Sequence, residues 1–163
     1  MLALSGYAEW FWTMAMNIKP IENRSKALPK SMALALPIRI YLHASKTITP
    51  KEEMNFIEKN LTPEQLSQFQ AVNWVQLRGR IIGEITITKQ IRKETENPKS
   101  QYGMGGIFST GDIAFELENM KTRCPEYFSP WFFGPFGYEV TKGVLYPAPY
   151  PYRGQLGFFE VRI

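Results

Sequence analysis

Histidine and cysteine each occur once in the 163 residues, as His43 and Cys124. A single cysteine excludes an internal disulfide. The pair cannot supply the four ligands of a structural zinc, so a His/Cys metal site is excluded and no cofactor is expected. A Ser-His-Asp triad would have to use His43, and the sequence has no GxSxG elbow. The glycines of GMGG, at 103–106, lack the spacing and following lysine of a phosphate loop, and they do not complete the dinucleotide pattern. Long hydrophobic runs are missing too. The first residues carry no basic segment, Glu9 interrupts their apolar stretch, and no run approaches the roughly 18 residues of a membrane span. These absences predict a soluble, cytoplasmic protein with no membrane partner. The glycosylation-like triplets NRS at Asn23 and NLT at Asn60 are then chance matches.

What remains is a chain with a core. Apolar residues make up 44%, aromatics 14% and charged residues 21%. That charge content is too low and too scattered for a disordered tail. The length suits one domain, 1–163, with no internal repeat and no dividing linker. A net charge of +4 and a pI of about 9.2 mildly favour anionic partners. The densest basic cluster, KQIRK at 89–93, is thin for binding by charge alone.

Residues 8–17 predict a short, largely buried helix, with Phe11, Met14 and Ile18 on one face and Trp10 and Met16 widening it. Asn17 can cap it and Pro20 stops it. IENRS follows as a short extended piece. Alternation puts Ile21 and Asn23 on one side, Glu22 and Arg24 on the other. KALPKSMALALP reads as a loop. PIRIYLHAS is the clearest strand, with Ile38, Ile40, Leu42 and Ala44 facing inward. Thr49 with Pro50, and Thr62 with Pro63 and Gln65, mark the starts of two helices. GRIIGEITITKQI is a second strand, with Ile81, Gly83, Ile85 and Ile87 on one face and Glu84 on the other. RKETENPKSQYGMGG is a polar loop carrying Arg92, Lys93 and Lys99. FGYEVTKGVLY and QLGFFEVRI are further strands, joined by the proline-rich connector YPAPYPYRG. Strands and helices do not alternate regularly. The pattern predicts an α+β domain: a small, mostly antiparallel barrel or curled sheet with helices packed outside.

The segment IKPIENRS resembles the GxKxxExR motif of the ASCH domain, the activating signal cointegrator homology domain. LALSGYAEWFW is similar to that family's opening strand and helix. IYLHASK and GRIIGEITI resemble its central strands, and SPWFFGPFGYEV and PYRGQLGFFEV resemble its C-terminal signature. Asn17 stands in the place of the motif's glycine, and Lys26 follows Ser25 where many members have tryptophan. The resemblance implies a PUA-like β-barrel with a cleft beside the first helix, in which RNA or another nucleic acid binds. Some small members hydrolyse acetylcytidine using the motif lysine, a threonine three residues later and a glutamate. Lys19 matches the lysine, but Glu22 occupies the threonine's position. Others have been described as ribonucleases, and the family's presence in transcriptional coactivators implies a protein partner as a further alternative.

The candidate site follows. Taken alone, Lys19, Glu22 and Arg24 read as an exposed ion pair worth ~0.5 kcal/mol. With the motif they read as a nucleotide site in a small basic cleft, the cations on phosphate and the carboxylate on a base edge or ribose hydroxyl. Ser25 belongs to the same motif. Glu84 is the candidate third catalytic group beside Lys19 and Glu22; its alternative is a pairing with Arg39 or Arg80. His43 reads first as a hydrogen-bonded strand residue, with Ser45 and Lys46 as candidates to line the cleft. Of the aromatic cluster at 127–138, Trp131 is the chosen stacking ring and Tyr7 the second.

Overall fold

A computed structural model describes residues 1–92 and 125–162. The glycine-rich loop predicted after Arg92, with Lys93 and Lys99, and Cys124 lie outside the described residues. Among the described residues six strands form one sheet in the spatial order β2-β5-β4-β3-β1-β6. They are β1 (Leu2–Gly6), β2 (Ile21–Arg24), β3 (Ile38–Ala44), β4 (Arg80–Arg92), β5 (Phe136–Pro151) and β6 (Phe158–Glu160). Only β1 and β3 run parallel; the other four pairings are antiparallel. The sheet curls into a half-barrel, so the predicted α+β class and barrel-like sheet are present. Its ends β2 and β6 are not hydrogen-bonded to each other among the described residues. Side chains meet across the opening instead. Tyr138 of β5 stacks on Phe158 of β6 with centroids 6.1 Å apart.

Helix α1 (Ala8–Ala15) lies inside this curl, and all eight of its residues are buried. Its close approach depends on Gly6, where a Cβ would stand 2.6 Å from the Phe11 ring. Phe11 and Met14 join Leu4, Ile40, Leu42 and Ile85 in the main core. Each such side chain contributes roughly 1.5–3 kcal/mol through burial. A second aromatic cluster packs Trp10, Trp12 and Trp131 against Ile57 and Phe69, from α3 (Lys51–Lys59) and α4 (Pro63–Gln70).

Four local expectations are corrected. The loop predicted after Arg24 contains α2 (Lys30–Leu34), whose Met32, with Leu28 before it, fills the main core. The first part of the proline-rich connector, up to Pro151, belongs to β5. Proline is tolerated there because β2 covers only Phe136 to Glu139, leaving the far half of β5 without a strand partner on that side among the described residues. The alternation read along β4 also fails. Register shifts put Ile81 in a cluster with Ala3 and Phe159, while Ile82, Ile85 and Ile87 share the main core. Of the two expected caps, Thr62 forms the full capping box with Gln65. Helix α3 instead starts one residue late, after Pro50. The Thr49 hydroxyl is spent on the buried carboxylate of Glu9. A one-turn helix, α5 (Trp74–Leu77), was not anticipated. Among the described residues no helix is long and apolar enough to cross a membrane.

Candidate functional site

The site lies where α1 hands the chain to β2. The helix ends in a Schellman arrangement: Ile18 N–H donates to Thr13 O at 2.8 Å and Asn17 N–H to Met14 O at 2.9 Å. Asn17 takes the left-handed φ of +58° that this requires. Asparagine tolerates that conformation better than most non-glycine residues. The reversal is fixed from outside by Gly143 of β5, whose N–H and carbonyl both bond the Asn17 side chain. Lys19 therefore leaves the helix end pointing into the curl.

Lys19 is 2% exposed and Glu22 6% exposed. Lys19 Nζ donates to Glu22 Oε2 at 2.8 Å, and Arg24 Nη2 lies 2.7 Å from Glu22 Oε1. One carboxylate thus holds two cations. The Lys19 ammonium also sits 4.9 Å from the Trp10 ring centroid. Burial would push the Glu22 carboxyl up, but Lys19 and Arg24 outweigh it and hold the group below the usual glutamate range. Burial lowers the Lys19 ammonium, with Glu22 opposing the shift. Arg24 reaches across the opening of the half-barrel to the Ser5 carbonyl at 3.4 Å, and its Nε is buried without a partner among the described residues.

These groups form the floor of a cleft of about 730 Å³. Tyr7, Trp10, Phe56 and Phe133 supply its aromatic walls, and Ser5 and Ser45 lie at one side. The lining holds two cations, Lys19 and Arg24, and three carboxylates, Glu22, Glu52 and Glu53. The cleft is therefore mixed in charge, not basic as the sequence suggested. Glu53 accepts from the Trp10 indole N–H, which fixes that ring beside Lys19.

The predicted site residues separate into groups. Tyr7, Lys19, Glu22, Arg24 and Ser45 line this cleft. Ser25 is exposed and lies outside its lining. Trp131 is 7% exposed and packs edge-on against Trp10 and Phe56 beneath the cleft. Phe133, two residues on and 54% exposed, is the ring that faces it. Asn23 sets this arrangement: its amide donates to Trp131 O at 2.7 Å and its Oδ1 accepts from the N–H groups of Phe133 and Gly134. Glu84 is away from Lys19. It pairs with Arg39 and accepts from the Tyr146 hydroxyl at 3.1 Å, in a cluster with Tyr41 and Tyr150. Desolvation raises the Tyr146 and Tyr150 hydroxyls, the latter to about 12.

His43 is buried and fully bonded. Its Nε2 is 3.0 Å from the Tyr152 carbonyl and its Nδ1 2.9 Å from Ser5 Oγ. A carbonyl only accepts, so Nε2 carries the proton and Nδ1 accepts from Ser5. Burial lowers the imidazole pKa, which favours this neutral form. Lys46 lines a separate groove on the other side of Ser5 and Ser45.

Sequence reasoning missed Glu53 and Phe133. Nothing in one sequence places α3 against α1, so Glu53 had no signal. Phe133 had a weak one, because three successive rings in a turn cannot all be buried. No family model and no curated protein matches the chain.

Proposed function

We propose that the protein is an ASCH-type, PUA-like module that binds RNA, or a single modified nucleotide, through the base in the cleft beside α1. The observation that carries this reading is the convergence of Lys19, Glu22 and Arg24 on one concave, aromatic-walled floor. The left-handed Asn17 in the glycine position of the motif supports it as well. A mixed-charge floor suits a base edge, which presents donors and acceptors together, better than it suits phosphate. Glu22 accepts from exocyclic or ring N–H groups, Lys19 and Arg24 donate to carbonyl oxygens, and Phe133 or Tyr7 stacks on the ring.

Fluorescence anisotropy with an end-labelled, mixed-sequence RNA decamer tests this. Wild-type protein should bind, and Phe133→Ala should weaken binding by about 5- to 100-fold with little change in melting temperature. No binding of the decamer or of any single nucleoside, at low salt, would overturn the reading.

One observation favours a second reading, hydrolysis of an acylated nucleoside. The buried Lys19 has a lowered pKa and donates to Glu22 at 2.8 Å, so the pair can exchange a proton with a bound water. Water would attack the acyl carbon, and the nitrogen leaving group would take the proton. Glu84 has no place in this scheme, being paired elsewhere. Incubation with acetylcytidine decides the matter: cytidine and acetate should accumulate, and their absence at high protein concentration removes the activity.

A further inference from the structure

The segment from Tyr152 to Gly157 divides two concave regions. On one side is the cleft just described; on the other is an open groove of about 770 Å³. They share Ser5, Ser45 and Leu156, so a ligand can pass from one to the other without leaving the surface. Their charges differ. The groove is lined by Lys46 and Arg153 and has no carboxylate in its lining.

Both cations are exposed, and neither has a side-chain hydrogen bond or ion pair among the described residues. Yet their positions are built. The stem of Lys46 lies over Gly79, where a Cβ would come within 3.1 Å of its Cε. Gly79 has φ +74°, a conformation that favours glycine. Arg153 is held between Tyr152, whose carbonyl accepts from His43, and Gly154, where a Cβ would collide with the His43 ring. Leu156 is fully exposed at the boundary between the two regions.

From this division of labour we infer that the groove of Lys46 and Arg153 is a phosphate subsite, taking the backbone of the nucleotide next to the one whose base sits in the Lys19 cleft. The preferred ligand is then a strand, not a free nucleoside. The inference rests on the base-binding reading and extends it. Phosphate is disfavoured in the cleft, whose lining sets three carboxylates against two cations, and is attracted to the groove, where Lys46 and Arg153 meet no carboxylate among the lining residues. Leu156 lies where the strand crosses, in van der Waals reach of a sugar or a second base.

The test compares wild type, Lys46→Ala/Arg153→Ala and Phe133→Ala by anisotropy with the same labelled RNA decamer over a potassium chloride series. Ligand-observed NMR with the four ribonucleosides runs in parallel. Removing both cations should weaken decamer binding 10-fold or more at low salt. It should make the slope of log K against log salt shallower by about 1.4, two phosphate contacts at about 0.7 each. Nucleoside binding should be unchanged, whereas Phe133→Ala should weaken both. Lys46→Glu/Arg153→Glu should deepen the loss for the decamer alone. If the double alanine variant keeps the wild-type slope while Phe133→Ala weakens binding, the groove is not a phosphate subsite and the base-binding reading stands. If wild type binds neither decamer nor nucleoside, both fall.

Discussion

Asn17 and Gly143 exchange two hydrogen bonds, side-chain amide to carbonyl at 2.9 Å and backbone N–H to side-chain carbonyl at 2.7 Å. The pair joins the end of α1 to β5 as a rung of sheet would. It also holds the backbone turn that delivers Lys19. Asn17→Ala loses both bonds and places a β-carbon residue without local compensation at positive φ. The expected cost is about 2 kcal/mol of unfolding free energy. Asn17→Gly relieves the dihedral and should cost less than the alanine variant. Urea denaturation of the three proteins checks the order, and a more stable alanine variant would contradict it.

Glu22 sits between two cations with almost no access to water. Glu22→Gln should cost about 3–5 kcal/mol, because it leaves the Lys19 charge buried without its counterion. The same burial means that Lys19→Ala reports on stability as well as on binding, so the more exposed Phe133 is the better probe of ligand contact. A loss under 1 kcal/mol in Glu22→Gln would show that the pair behaves as a surface ion pair.

His43 has its pKa lowered by burial. As pH falls below about 6.5, the unfolded chain takes up a proton before the folded protein does. Stability from this group is therefore complete above that pH and declines below it, down to the folded-state pKa. The difference in melting temperature between wild type and His43→Gln should narrow as pH drops from 7.5 to 5.5. A gap that stays constant would mean that the imidazole does not titrate differently in the two states.

Trp131 and Phe133 offer opposite readouts from neighbouring positions. Trp131→Ala removes a buried ring packed on Trp10 and Phe56 and should cost roughly 3–5 kcal/mol. Glu84→Gln, remote from the cleft, should leave RNA binding within twofold of wild type. A strong binding defect in Glu84→Gln would show that the Tyr41–Tyr146 face takes part.

Much of the frame was legible in the sequence because it is written in local patterns. Proline after Thr62, with Gln65 in place, specifies a helix start without help from the rest of the chain. The alternating PIRIYLHAS specifies a strand. The failures lie where distant residues decide. Thr49 has the local features of a cap, but Glu9, forty residues earlier, takes its hydroxyl. Ile81 and Ile82 are adjacent branched residues whose facing depends on a register shift set by β5. In the cleft, Glu22 and Arg24 follow from strand alternation. The choice of Phe133 over Trp131 depends on Asn23 gripping a turn more than a hundred residues away.

Because β2 and β6 leave a gap bridged by Arg24 and by the Tyr138–Phe158 stack, the domain has a seam. The cleft opens at one end of it. A molecule seated there and touching Arg24 on one bank and Gly157 on the other would act as a clasp. Amide hydrogens of β2 and β6 should then exchange more slowly on ligand binding, while those of the central strands β3 and β4 change little.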